Sequence, residues 1–214
     1  MLRLIDQLAL IRPGDRLLDI GCGPGAMVPG LLARTGAAGS YVGFDVHRPS
    51  VEWCRRRYAA DPRCRFELAR LSSPYARQNG RPVEEYAFPI GKGQADFVLA
   101  KSVFTHLLPA EAEHYLREID RALRPGTPAV VTAFLFAPDS RTGTGHSRFF
   151  RGADPTGRVR SRSRFRPQAA VAYERDYFFE LVTSAGLRVQ WLSPGFFPGD
   201  GDSLSAQDVL LLGH

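Results

Sequence analysis

Residues 19 to 25 read Asp19, Ile20, Gly21, Cys22, Gly23, Pro24, Gly25, a density of glycine that lets backbone come close to a ligand. Gly21, Gly23 and Ala26 satisfy the G-x-G-x-x-G/A spacing of a nucleotide-binding turn. Asp45 follows twenty residues beyond Gly25, where a carboxylate accepts hydrogen bonds from a ribose. The glycines alone do not separate one nucleoside cofactor from another, whereas Asp19 does. In a nicotinamide or flavin site the helix after the turn faces a pyrophosphate, and a carboxylate just before the first glycine would oppose that anion. Such a carboxylate suits a ligand with an amino group and a sulfonium, which S-adenosylmethionine has and NAD lacks.

These residues need a strand to carry Asp19, a turn, and a helix to follow, and the apolar pattern supplies all three. Residues 16–20 read as a strand and 26–34 as a helix with Met27, Val28, Leu31 and Leu32 as its apolar side. A second strand at 41–46 carries Asp45, a proline-opened helix spans 49–60, and 65–71 reads as a third strand. Residues 95–101 (ADFVLAK) are nearly continuous in apolar side chains, as a strand buried on both faces is. A helix over 109–123 has Ala112, Tyr115, Leu116, Ile119 and Leu123 at three-to-four spacing, and a strand at 129–136 follows the break at Pro125 and Gly126. The C-terminal part reads as a helix over 174–185 stopped by Gly186, then strands at 187–192 and 207–212. No helix separates those two strands, so they form an antiparallel pair. The expected fold is α/β and Rossmann-like, a seven-stranded, mostly parallel sheet with an antiparallel C-terminal pair and helices on both faces, in a single domain over 1–214. Residues 137–172 show no clear periodicity and are too long for an ordinary connection, so they read as an arginine-rich lid or a disordered insertion.

The stretch 17–25 (LLDIGCGPG) resembles the first motif of class I S-adenosylmethionine-dependent methyltransferases, and 41–46 (YVGFDV) their second. Residues 115–126 (YLREIDRALRPG) resemble the helix and turn that lead to their fifth strand. Residues 101–107 (KSVFTHL) are similar to the motif after strand four in a small-molecule subset, the methyltransferase-domain 11/25-like type. The likeness extends to 170–177 (AVAYERDY) and to Gln207 and Asp208, and covers nearly the whole chain apart from 137–166. It implies S-adenosyl-L-methionine as cofactor, with Asp19, Gly21, Cys22, Gly23 and Gly25 bordering its methionine part. Asp45 would take both ribose hydroxyls, Val46 would lie against the adenine, and backbone at Lys101 and Ser102 would approach the amino group. Arg70 and Leu71 fall where the adenine amino group is held; the family usually has an acidic residue there, and Ala69, Arg70 and Leu71 supply none. Thr127 stands where a second glycine is usual after Pro125 and Gly126.

Methyl transfer needs a nucleophile held in line with the methyl carbon, and a base only where the acceptor carries a proton. His106 is the best-placed catalytic candidate, against the reading of a histidine that caps the turn or lines the pocket. His146, Tyr173 and Glu174 are second-tier candidates. The formal charge of +6 is concentrated, since residues 141–166 hold eight arginines against Asp154 alone. That places +7 in one segment and −1 in the remainder, and suggests a lid that recruits an anionic or carrier-bound acceptor. The chain has no Asn/Asp-Pro-Pro-Tyr/Phe motif and no appended RNA-binding module, which disfavours a nucleic-acid substrate. Three cysteines without paired spacing indicate neither a disulfide framework nor a metal site, and no apolar run suggests export or membrane insertion, so a cytoplasmic setting is expected. The leading reading is methylation of a small molecule on oxygen; N-methylation and a non-catalytic cofactor-binding scaffold are the alternatives.

Overall fold

The computed structural model describes residues 1–73, 80–137, 149–150, 152–195 and 205–214. His146, Arg141, Arg148 and Arg151 lie outside the described residues. Contacts group the chain into two compact units, Met1–Lys101 with Arg121–Ala129, and Ser102–Asp120 with Val130–His214.

The first unit contains α1 (Leu2–Gln7), β1 (Arg16–Ile20), α2 (Val28–Thr35), β2 (Ser40–Asp45), α3 (Arg48–Arg57), β3 (Cys64–Leu68) and β4 (Phe97–Ala100). Its strands run in the order β3-β2-β1-β4, every neighbouring pair parallel. Parallel neighbours require crossovers, and α2 and α3 supply those from β1 to β2 and from β2 to β3, each opened by a proline whose fixed φ suits a first helical turn. Val28, Leu31, Leu32 and Thr35 are the buried positions of α2, the three-to-four spacing of a helix with one face against a sheet. All four residues of β4 are buried, which accounts for its unbroken apolar sequence. At the start of β1, Arg16 donates from its backbone and side chain to the buried carboxylate of Asp96 (2.9 and 3.2 Å), so that this acid serves the sheet.

The second unit contains α4 (Pro109–Ala122, as far as Asp120), most of β5 (Ala129–Phe136), β6 (Gly152–Ala153), β7 (Val159–Ser161), β8 (Val171–Glu174), α5 (Arg175–Ser184), β9 (Arg188–Ser193) and β10 (Asp208–Gly213). Here β5 pairs parallel with β8, while β8 with β7, β7 with β6, and β10 with β9 are antiparallel. Strand β10 also pairs with β5. Glu111, in the first turn of α4, accepts the Leu108 N–H at 2.6 Å, the reaching-back half of a capping box. Tyr173, Phe104 and Phe178 form the aromatic centre of this unit, with ring centroids 5.3 to 5.6 Å apart. Gly186 stops α5 at φ +93°, and a Cβ there would also stand 3.0 Å from Asp120 Oδ1.

The seven expected strands are all present, displaced by a few residues, and the C-terminal pair is antiparallel as expected. Ten strands occur among the described residues because β6, β7 and β8 arise in the segment whose sequence suggested no periodicity. Helix α5 starts one residue later than expected, since Glu174 belongs to β8. Among the described residues no helix is long and apolar enough to cross a membrane.

Candidate functional site

The turn after β1 is built from left-handed backbone. Gly21, Gly23 and Gly25 have φ of +68°, +53° and +78°, a region that costs other residues about 1–2 kcal/mol each. The amides of Gly21 and Cys22 both donate to the Phe44 carbonyl (2.9 and 3.0 Å), fastening the turn to the end of β2. The thiols of Cys22 and Cys54 both point at the Gly23 carbonyl (3.7 and 3.5 Å). A Cβ on Gly25 would lie 3.0 Å from Cys54 Sγ and 3.3 Å from Val28. Gly25→Ala is therefore expected to destabilise the protein by about 1–2 kcal/mol, read as a lower urea midpoint; an unchanged midpoint would mean the turn is not held in this form.

Asp45 joins the turn to the second strand. Its Oδ2 accepts the Gly23 N–H at 2.8 Å and its Oδ1 accepts the His47 N–H at 2.7 Å. A carboxylate has about four lone-pair sites, so two amides leave acceptor capacity for a diol. Asp19 is only 3% exposed and accepts the Tyr41 hydroxyl at 2.6 Å. Burial pushes its carboxyl up to about 7; the Tyr41 hydrogen bond opposes this, the neighbouring charge of Asp45 adds to it, and Lys101 opposes it. Burial likewise pushes the Cys22 thiol and the Tyr41 phenol up, so neither ionises readily. Tyr41 is a residue of the candidate site that the sequence pattern does not reveal. Asp19 is in register with Gly43, and a Cβ on Gly43 would come within 2.8 Å of the Tyr41 hydroxyl, so that glycine makes room for the phenol to reach the acid.

Val46 follows Asp45 and is half-buried. The Ala69 amide donates to the Asp45 carbonyl at 2.9 Å, which sets Arg70 and Leu71 just beyond the end of β3, beside the end of β2. Leu71 is buried and bridges to Arg81, while Arg70 and Lys101 are exposed. Within the first unit the fold thus gathers Asp19, the glycine turn, Asp45, Val46, Arg70 and Leu71 at the carboxyl ends of parallel strands, where open α/β sheets take ligands.

Ser102 and His106 belong to the second unit. Ser102 is a non-glycine residue at φ +59°, held there by two hydrogen bonds of its own and a third that joins their acceptors. Its N–H donates to Thr132 Oγ1 (2.7 Å), its hydroxyl donates to Gln207 Oε1 (3.1 Å), and Thr132 donates to the same oxygen (2.5 Å). Thr132 was not legible as a site residue, whereas Gln207 came with the family resemblance. His106 Nδ1 lies 3.0 Å from the Gln168 carbonyl, and the Gln168 amide donates to Glu111 Oε1 at 2.7 Å. Since a carbonyl only accepts, Nδ1 carries the proton in that bond. Tyr173 is buried and donates to the Leu107 carbonyl at 2.5 Å, and Glu174 pairs with Arg158 at 3.7 Å, so both of these second-tier candidates are engaged in holding the fold.

A parallel sheet whose first strand ends in a left-handed glycine turn, with acids closing β1 and β2, defines a nucleoside-cofactor-binding α/β protein. The model of the methyltransferase-domain family matches residues 18–131, and the chain belongs to that family, the class I S-adenosylmethionine-dependent methyltransferases. It is 32% identical over 144 residues to the 27-O-demethylrifamycin SV methyltransferase of Amycolatopsis mediterranei, covering 64% of this chain and 46% of that protein. It is 31% identical over 113 residues to the fatty-acid O-methyltransferase of Mycolicibacterium smegmatis, covering 53% of this chain and 35% of that protein. The chain thus matches less than half the length of these curated relatives. Its fold resembles that of a TehB-like S-adenosylmethionine-dependent methyltransferase from Corynebacterium glutamicum, with a TM-score of 0.60 at 17% identity, over 99% of this chain and 85% of that one.

Proposed function

We propose that the protein transfers a methyl group from S-adenosylmethionine to an oxygen of a small, negatively charged acceptor. The observation that carries the cofactor part is Asp19, a buried carboxylate beneath the glycine turn, at a place where a pyrophosphate would be repelled. The residues fit the cofactor: Asp19 for the ammonium, Asp45 with spare lone pairs for the ribose hydroxyls, and half-buried Val46 as apolar surface for the adenine. The bound cofactor supplies an electrophilic methyl on its sulfonium. Oxygen as the acceptor atom is supported by the O-methyl chemistry in the names of both curated relatives.

His106 is the residue we assign to hold the acceptor's proton, at Nε2, with Nδ1–H anchored on the Gln168 carbonyl. His106→Ala is expected to lower kcat by about 10²–10⁴-fold and leave cofactor affinity within twofold. An unchanged kcat, or loss of cofactor binding instead, would remove the histidine from this role. The missing acid at Ala69, Arg70 and Leu71 favours a second reading, a cofactor-binding protein without turnover. Radiolabelled methyl transfer to carboxylic and phenolic acceptors separates the two.

A further inference from the structure

The arginine-rich stretch forms an element more specific than a charged loop. Strand β7 pairs with β8 and β8 with β5, so that Arg160, Ala172 and Phe134 are direct cross-strand neighbours on one face. Phe136, two residues further along β5, shares that face. The Arg160 guanidinium lies 3.9 Å from the centroid of the Phe136 ring, a diagonal reach across β8, whose residue directly opposite Arg160 is the small Ala172. Arg162 lies over Phe149 at 4.8 Å. Arg158, on the same strand, differs: it stacks on Tyr177 at 4.4 Å and is also paired with Glu180 (2.7 Å) and Glu174 (3.7 Å). Among the described residues no carboxylate stands at ion-pair distance from Arg160 or Arg162.

Arg160 is half-buried, and among the described residues its lost hydration is offset by the Phe136 ring and by no counter-charge. Burial lowers the Arg160 pKa, yet a guanidinium stays charged. Stacking engages the planar face of the group and leaves its N–H edge, whose fork matches the two oxygens of an oxyanion. Phe136 is the last residue of β5, and the carboxyl ends of parallel strands are where this class of sheet takes ligands.

We propose that Arg160 on Phe136, seconded by Arg162 on Phe149, is an oxyanion-binding element that selects acceptors bearing a carboxylate. Its description as an acceptor site rests on the methyltransferase reading, whereas the binding of an oxyanion does not. A phosphate, as on a carrier-bound acceptor, would meet the same chemistry, and separate probes distinguish the two.

The test follows the arginine Nε–H resonances of the ¹⁵N-labelled full chain during titration with benzoate, inorganic phosphate and benzamide. Benzoate is expected to shift the Arg160 resonance saturably, at least tenfold more tightly than phosphate, and the uncharged benzamide is expected to leave it in place. Arg160→Gln should weaken benzoate binding at least tenfold, Arg160→Lys should fall between, and Arg158→Gln should stay within twofold of wild type. Circular dichroism melts of each variant separate lost binding from lost folding. The proposal is overturned by absence of saturable benzoate binding, by equal binding of benzamide, by tighter binding of phosphate, or by an Arg158→Gln loss as large as that of Arg160→Gln. Calorimetry with S-adenosylmethionine on the same samples keeps the two readings apart. Wild-type protein that binds benzoate but not the cofactor would sink the methyltransferase reading and leave the anion site standing.

Discussion

Asp19→Asn is expected to stabilise the ligand-free protein at pH 8 and, in the same variant, to weaken S-adenosylmethionine binding about 100-fold or more. The two effects share one cause. Asp19 is almost fully buried and its carboxyl is pushed up to about 7 from an ordinary value near 3.8. Between those values the unfolded chain has released the proton and the folded protein retains it, so stability falls as pH rises through this window. The shift corresponds to a loss of order a few kcal/mol by pH 8. Asparagine still accepts the Tyr41 hydroxyl but carries no charge to bury, so the variant should melt several degrees higher at pH 8 and level with wild type at pH 4. Cofactor affinity has the opposite sign: the ionised acid attracts the ammonium, and wild-type affinity should rise as pH passes through about 7. A flat affinity between pH 5.5 and 8.5, or an Asp19→Asn variant that binds normally, would take Asp19 out of the cofactor site.

The second large effect is expected at Asp45, whose two oxygens hold the amides of Gly23 and His47. Asp45→Ala leaves both donors without their acceptor and removes the charge proposed to face the ribose. Each lost charge-assisted hydrogen bond is worth about 1.5–3 kcal/mol. Cofactor affinity should therefore drop at least 100-fold, with a fall in stability of about 3 kcal/mol or more. Asp45→Asn keeps one carbonyl oxygen and should lie between. An alanine variant binding the cofactor within threefold of wild type would show that Asp45 serves the loop alone.

The parts of the fold legible in sequence were those whose pattern reports directly on burial. β4 reads as a buried strand because all four of its residues are buried, and α2 as a helix because its buried positions follow the helical period. The glycine turn was legible because only glycine populates φ near +50° to +80° cheaply, and three of them occur at alternate positions. Tyr41 was hidden because its role depends on the missing side chain of Gly43 and on the register of β1 with β2, neither of which a single strand reveals. Thr132 was hidden for a similar reason, since it acts on Ser102 from β5.

Strand β7 was misread for a different reason. From Arg158 to Arg166 every second residue is arginine, a period-two signal, but the alternating positions are the mixed set Val159, Ser161, Ser163 and Phe165, so the usual contrast of apolar with polar is missing. The alternation registers as a strand only once Phe134, Phe136 and Phe149 are known to lie on the arginine face. Charge density alone had suggested a lid, whereas among the described residues the ion pairs neutralise Arg158 and leave Arg160 and Arg162 without a carboxylate partner.

The central claim is that the buried acid beneath the glycine turn selects a sulfonium cofactor over a pyrophosphate one. It is tested most directly by calorimetric titration of the full chain with S-adenosylmethionine, its demethylated product and NAD under identical conditions. Binding of the first two with no heat from NAD is the expected result, and binding of NAD in their place would contradict it.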